Sequence, residues 1–239
     1  ISLIQINLQH SKAATAQLCC SLARRQRSQQ VVLVQEPWVF RNKICGFGML
    51  TCCGILHKGG VNRPRACMIV TNTIQAVMLE QFCSQDITVA KVSYKSKGNK
   101  CEVLIASAYF PFDSINPPPG GKIEELVAYA ESNKLALIIG CDANSQHIIW
   151  GSSKCNPRGE KLLDFILSSD LSIQNVGNKP TFINRIRQEV IDLTLTNRKA
   201  EGLIKNWNVL EKDSLSDNRY IGYEIGADHN PRKTNWRTY

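Results

Sequence analysis

Ile4, Ile6 and Leu8 alternate with Gln5, Asn7 and Gln9, the period-two pattern of a strand with one apolar face. Ser11 then stands where a helix N-cap belongs, ahead of Ala14, Leu18 and Leu22 at helical spacing. The run 31–35 is nearly continuously apolar, as a buried strand would be, and shorter strand-like runs follow at 66–71, 87–94 and 103–110. Helical spacing returns at 122–132 and 159–168, and each stretch leads into another strand, 135–139 and 171–174. The last third offers strand patterns at 190–196, 203–210 and 220–225. Helices separate some strands while other strands follow one another directly, so the pattern predicts an α/β chain with mixed sheets, two packed together and helices outside. The Asn-Pro-Pro-Pro-Gly-Gly segment 116–121 lies between a strand and a helix and reads as a rigid surface loop rather than a linker. No internal repeat is visible.

Length and composition sharpen this picture modestly. At 239 residues and 43% hydrophobic content, the chain can bury the core of one large domain. We assign 1–230 to that domain and 231–239 to a polar, basic tail leading toward a downstream region of a longer polypeptide. No run of 18 apolar residues exists, and the first residues lack a basic start and a long apolar centre. The expectation is a soluble, intracellular protein with no membrane partner. Ten cysteines include the adjacent pairs Cys19-Cys20 and Cys52-Cys53 and no C-x-x-C spacing, so they are read as mostly reduced core residues. The formal charge of +9 favours a polyanion, nucleic acid foremost, although a charge of this size is also common in soluble domains.

Chemistry collects where the strands finish. The apolar run 138–139 stops at Gly140 and presents Asp142 and Asn144, which share a face if the strand continues. A carboxylate beside a carboxamide can orient a water and hold a phosphate oxygen; an Asx-rich turn fits the same residues. Glu36 ends the 31–35 strand as a possible hard oxygen ligand for Mg²⁺, and Asn7 offers a neutral oxygen or faces solvent. Tyr109 could donate its hydroxyl to a phosphate, or serve packing. Asp192 interrupts an apolar run, where a carboxylate needs a partner. Asp217 sits in a Ser/Asp/Asn loop typical of turns. Residues 181–191 form two β-rich runs around a polar centre, predicting a hairpin with Asn184 and Arg185 near its tip. If the partner is nucleic acid, Thr181, Asn184, Arg185 and Arg187 are the residues expected to contact it; the alternative is an ordinary solvated hairpin tip.

Taken in order, Asn7, Gln35-Glu36, Tyr109, Gly140-x-Asp142-x-Asn144, Asp192 and Ser216-Asp217 resemble the endonuclease/exonuclease/phosphatase superfamily that includes DNase I. Within it the chain is similar to the apurinic-type endonuclease domain of LINE-type, non-LTR retrotransposons. The segments 5–8, 34–38 and 214–221 look closest to the insect site-specific branch, the telomeric-repeat-specific TRAS group first and ribosomal-DNA-specific relatives second. The resemblance implies a four-layer α/β sandwich and a nuclease that nicks one strand of chromosomal DNA, leaving a 3′-hydroxyl to prime reverse transcription. It further implies Mg²⁺, with Mn²⁺ as a substitute, held by Glu36 and Asn7. Tyr109 and Asn144 would position the phosphate and Asp142 the attacking water. The implied partners are double-stranded DNA, telomeric repeats in particular, and a reverse transcriptase domain of the same polyprotein; the implied location is the nucleus.

One position departs from the family pattern. Where a histidine paired with Asp192 should follow Ser216-Asp217, this chain has Asn218, and none of His10, His57, His147 or His229 occupies that motif. Asparagine carries no charge and exchanges no proton near neutral pH, so the expectation is impaired cleavage. The alternatives are a catalytically dead DNA-binding module of the same ancestry and a phosphoester phosphatase of the same fold.

Overall fold

The computed structural model describes residues 1–24, 29–96 and 98–226, so the basic tail and His229 lie outside the described residues. The chain runs β1 (Ser2–Asn7), α1 (Lys12–Ala23), β2 (Gln30–Gln35), β3 (Val39–Phe40), β4 (Lys43–Ile44), β5 (Cys53–Leu56), β6 (Ala66–Thr71), β7 (Gln75–Met78), β8 (Ile87–Ser96) and β9 (Asn99–Tyr109). It continues α2 (Gly121–Ser132), β10 (Ala136–Asp142), α3 (Pro157–Ser168), β11 (Leu171–Ile173), β12 (Phe182–Ile183), β13 (Gln188–Glu189), β14 (Asp192–Asn197), β15 (Ile204–Val209) and β16 (Ile221–Ile225).

Two six-stranded sheets form, in the orders β15-β16-β1-β2-β6-β5 and β11-β14-β10-β9-β8-β7. Each contains one parallel pair, β1 with β2 and β9 with β10. A parallel pair needs a crossover, and α1 and α2 supply it. Their caps follow from sequence: Ser11 Oγ accepts the Ala14 N–H at the start of α1. Asn156 caps α3 through Gly159, with Pro157 in the first turn, so α3 starts two residues before the expected 159. The edge strands β5 and β7 were not expected; they are short and partly exposed, which weakens their apolar signal.

Three cores make four layers, as expected for an α/β sandwich. Leu3, Leu33, Met68, Val103, Ile105, Ile138 and Ile221 fill the space between the sheets. Ala14, Leu18 and Leu22 of α1 pack on the outer face of one sheet with Val32, Val34 and Ile69. Ile123 and Leu126 of α2 and Leu162 and Ile166 of α3 cover the other with Leu104, Ile139 and Leu193. All ten cysteines are free, as expected, but only Cys19, Cys67, Cys83 and Cys141 are buried, so most are not core residues.

The single-faced reading of β1 is corrected by burial. Gln5 and Asn7 are not solvent-facing; they are 0% and 2% exposed and point into the inter-sheet seam. Gln5 Nε2 donates to the Cys141 and Leu193 carbonyls at 3.1 and 3.3 Å, and its oxygen accepts Thr194 Oγ1. Gln35 Nε2 donates to Ser107 Oγ at 3.0 Å and the Gly140 carbonyl at 3.3 Å. Gly140 leaves room for this approach, because a Cβ there would lie 2.5 Å from Leu33 Cδ1 and 2.6 Å from Gln5 Oε1. Both neighbours are fully buried. Gly140→Ala should therefore destabilise the fold by about 1–3 kcal/mol through overpacking, seen as a lower urea midpoint. An unchanged midpoint would show that the sheets can separate freely at this point.

Candidate active site

The parallel pairs bring strand ends together. Asn7 lies opposite Gln35, one residue before Glu36, and Asp142 lies opposite both Tyr109 and Asp192. Asn7 Nδ2 then links the two sheets, donating to Glu36 Oε2 at 2.9 Å and to Asp142 Oδ2 at 2.7 Å. Its Oδ1 accepts the Gln9 N–H at 2.7 Å, which sets the orientation of the amide and turns its N–H groups, not its oxygen, toward the acids. Gln9, His10, Glu36 and Asn144 all hold left-handed backbone, with φ of 50°, 54°, 44° and 45°. Such non-glycine conformations are sparsely populated and concentrate at functional sites.

Of the two sequence readings of 140–144 the Asx turn is the one that forms; the strand does not carry Asn144 onto the face of Asp142. The strand ends at Asp142, and the Asn144 N–H returns to Asp142 Oδ1 at 3.1 Å as an Asx turn. Asp142 still faces Asn7 and Glu36. Burial pushes its pKa from 3.8 up to about 7, with Glu36 adding to the rise, while hydrogen bonds from Asn7 and Asn144 and the charge of Arg158 oppose it. Tyr109 is held neutral, its phenol raised first by burial and then by Glu36 and Asp142. Asp192 is raised too, by burial and by Asp142, against hydrogen bonds from Thr181 and Asn218.

Asn218 occupies the position beside Asp192. Its Nδ2 donates to both Asp192 oxygens, at 3.1 and 3.0 Å. Ser216 Oγ donates to the Asn7 carbonyl at 2.9 Å, and Gln9 Oε1 accepts the Asp217 N–H at 2.9 Å, so Ser216 and Asp217 fasten this loop to β1. Thr181, expected to contact DNA, is instead fully buried. Its Oγ1 accepts the N–H groups of Ile191 and Asp192, both at 3.1 Å, and thereby supports Asp192. The hairpin forms as expected, with residues 184–187 at its tip. Asn184 Oδ1 is consumed there by the N–H groups of Ile186 and Arg187. Arg185 is exposed, and Arg187 stacks over Phe182 at 5.0 Å.

Arg158, His10 and Gln9 belong to this site and escaped the sequence reading. Arg158 Nε and Nη2 donate to the Asn144 and Phe110 carbonyls at 3.2 and 3.4 Å, tying two site loops together. A signal existed: a cation in the first turn of a helix opposes the helix dipole, so Arg158 is placed for something other than helix stability.

Glu36 and Asp142 form a hard-oxygen donor set. Among the described residues, no lysine or arginine pairs with either within 4.0 Å; the basic side chain within that distance is the His10 ring, its Nε2 3.5 Å from Glu36 Oε1. Glu36, joined to Asp142 by the Asn7 amide and without a lysine or arginine within 4.0 Å among the described residues, fits Mg²⁺ or Mn²⁺ as a hard-oxygen ligand. Another group of ligand types, His147, Cys155 and Glu160, also lies within 4.8 Å. There His147 Nδ1 accepts the Ile149 N–H at 3.1 Å, which uses the ring's one lone pair, so that ring caps a turn rather than binding a metal.

Residues 103–222 match the family described as endonuclease-reverse transcriptase. The chain belongs to that family. The endonuclease domain of TRAS1, a telomere-specific non-LTR retrotransposon, shares 27% identity and a TM-score of 0.76, covering 94% of this chain and 97% of that one. The chain is similar to that endonuclease domain and shares its DNase I-like fold of two packed six-stranded sheets. The catalytic domain of Xenopus laevis APE2 shares that fold at 13% identity and a TM-score of 0.67, covering 96% and 94%. A Bacteroides thetaiotaomicron mannosyl-6-phosphatase shares it at 11% and 0.62, covering 94% and 99%. No curated protein matches the chain.

The raised Asp142 carboxyl has a consequence for stability. Between about 4 and 7 the native state holds a proton that the unfolded chain has released, so stability falls as pH rises through this window. Asp142→Asn removes that contribution. In chelator, its unfolding midpoint should decline less than the parent's from pH 4 to pH 8; parallel declines would place the charge burden elsewhere.

Proposed function

We propose that this domain is a divalent-metal-dependent DNA endonuclease that nicks one strand of chromosomal DNA and leaves a 3′-hydroxyl for target-primed reverse transcription. The observation that carries the reading is the cross-sheet cluster of Glu36, Asn7 and Asp142 beside Asp192 and Tyr109. Glu36 would hold the cation, with Asn7 setting the carboxylate's position. When bound, that ion supplies positive charge to a phosphate oxygen. Asp142 accepts a proton from the attacking water; each of its oxygens has one amide donor and a lone pair to spare, and its raised pKa suits a base working near neutrality. Tyr109, neutral, donates to the phosphate, and Asn144, whose Nδ2 gives one N–H to the Phe110 carbonyl at 3.3 Å, offers its other N–H.

The inferred target is a telomeric repeat array in the nucleus, by similarity to TRAS1, with a reverse transcriptase domain in the same polyprotein. Arg185 and Arg187, exposed on the hairpin, read the duplex. Asn218 limits the chemistry: its Nδ2 is committed to Asp192, leaving only an oxygen to offer. A phosphate oxygen gains nothing from a second acceptor. Asn218 also favours a second reading, in which the domain binds its target without cutting.

Supercoiled plasmid in Mg²⁺ tests both readings. Asn218→His should raise nicking by about 10- to 100-fold, the scale of one transition-state donor, and Glu36→Ala in that background should abolish it while leaving DNA affinity in chelator unchanged. Equal rates for the parent and Asn218→His would remove position 218 from the mechanism. In the same background, Arg185→Ala should broaden the set of nicked positions on a long duplex more than it lowers total nicking; a uniform loss of rate with the same pattern would make Arg185 a phosphate contact.

A further inference from the structure

His10 lies three residues beyond Asn7, and its ring is held by a contact that decides its tautomer. Nδ1 is 2.8 Å from the Pro37 carbonyl, and a carbonyl only accepts, so Nδ1 carries the hydrogen. A neutral ring then offers its lone pair at Nε2, which lies 3.5 Å from Glu36 Oε1. That separation exceeds the roughly 2.7–2.9 Å of a charge-assisted hydrogen bond. Two acceptors therefore face each other, an arrangement that a cation between them converts from repulsion to ligation.

We propose that His10 Nε2 is a nitrogen ligand of the divalent ion that Glu36 binds, and that it biases the site toward Mn²⁺ over Mg²⁺. This rests on the carboxylate-metal reading of the same site. Ligand atoms each about 2.1 Å from one ion can stand up to about 4.2 Å apart, so 3.5 Å is within a single ion's reach. Metal-binding histidines commonly donate their other ring N–H to a backbone carbonyl, the role Pro37 plays here. The backbone adds rigidity: His10 N–H donates to the Glu36 carbonyl at 2.7 Å, and both residues sit in left-handed conformations. The side chains of His10 and Glu36 are 32% and 18% exposed, open enough for an ion to enter. His147, by contrast, has its lone pair engaged. Imidazole nitrogen suits Mn²⁺ better than Mg²⁺, which demands hard oxygen and retains its waters.

The test uses Mn²⁺ alone on the full chain, read by electron spin-echo modulation from a coordinating ¹⁴N nucleus and by calorimetry. His10→Asn is the informative variant, because asparagine tolerates the left-handed backbone and its amide can still donate to Pro37 while the Nε2 lone pair is lost. The parent should show histidine nitrogen modulation that vanishes in His10→Asn, with the thermal midpoint unchanged. Mn²⁺ affinity should fall about tenfold, and Mg²⁺ affinity by less than about threefold. If Mn²⁺ binding depends on Glu36 but the modulation is absent or survives in His10→Asn, His10 is only a loop anchor and the carboxylate-metal reading stands. Mn²⁺ binding that is undetectable, or that persists in Glu36→Ala, would overturn that reading and this proposal with it.

Discussion

One primary amide joins the two halves of the sandwich at the point where the acids meet. Asn7 Nδ2 binds Glu36 on its own sheet and Asp142 on the other. Behind it, Gln5 and Gln35 repeat the device against the backbone of β10 and β14. These bonds lie in a buried seam, where an amide left unsatisfied costs about 1–3 kcal/mol, so the sheets settle where the three amide nitrogens find acceptors, with the Gln35 oxygen left without a donor among the described residues. Register follows. A one-residue slip of β1 would turn Gln5 and Asn7 outward and bring Ile4 and Ile6 into the polar seam. Gly140 is the complement of this arrangement, a gap at the point of closest approach.

The same constraint explains which features the sequence made legible. Strands 31–35, 66–71 and 87–94, and the helix capped by Ser11, carry signals that depend only on near neighbours. Acids at the ends of parallel strands were legible as a site because each crossover helix returns the chain in the same direction, collecting strand ends at one edge. Alternation in β1 misled because a polar seam between sheets has the same periodicity as a solvated face. Nothing local distinguishes a Gln that meets water from one that meets Cys141 and Leu193, more than a hundred residues away. Thr181 failed for a related reason: its hydroxyl reads as surface chemistry in a hairpin, yet it serves two N–H groups at the base of β14. His10 and Arg158 act through backbone carbonyls of other loops, which residue identity cannot announce.

Position 218 shows how separable chemistry is from folding in such a site. Asp192 is fully buried and needs donors on its carboxylate whatever the enzyme does. Asn218 supplies them, and the Ser214 and Ser216 hydroxyls hold its backbone as part of the loop fastened to Asn7 and Gln9. The half of a histidine's work that faces the protein is therefore done by asparagine. In the proposed mechanism the other half would face a phosphate, where asparagine brings neither a positive charge nor a titratable proton. Replacing histidine by asparagine thus leaves no unpaired acid in the core for the fold to reject. The seam and the hairpin do not draw on a donor at position 218, because their bonds run through Gln5, Asn7, Gln35 and Thr181.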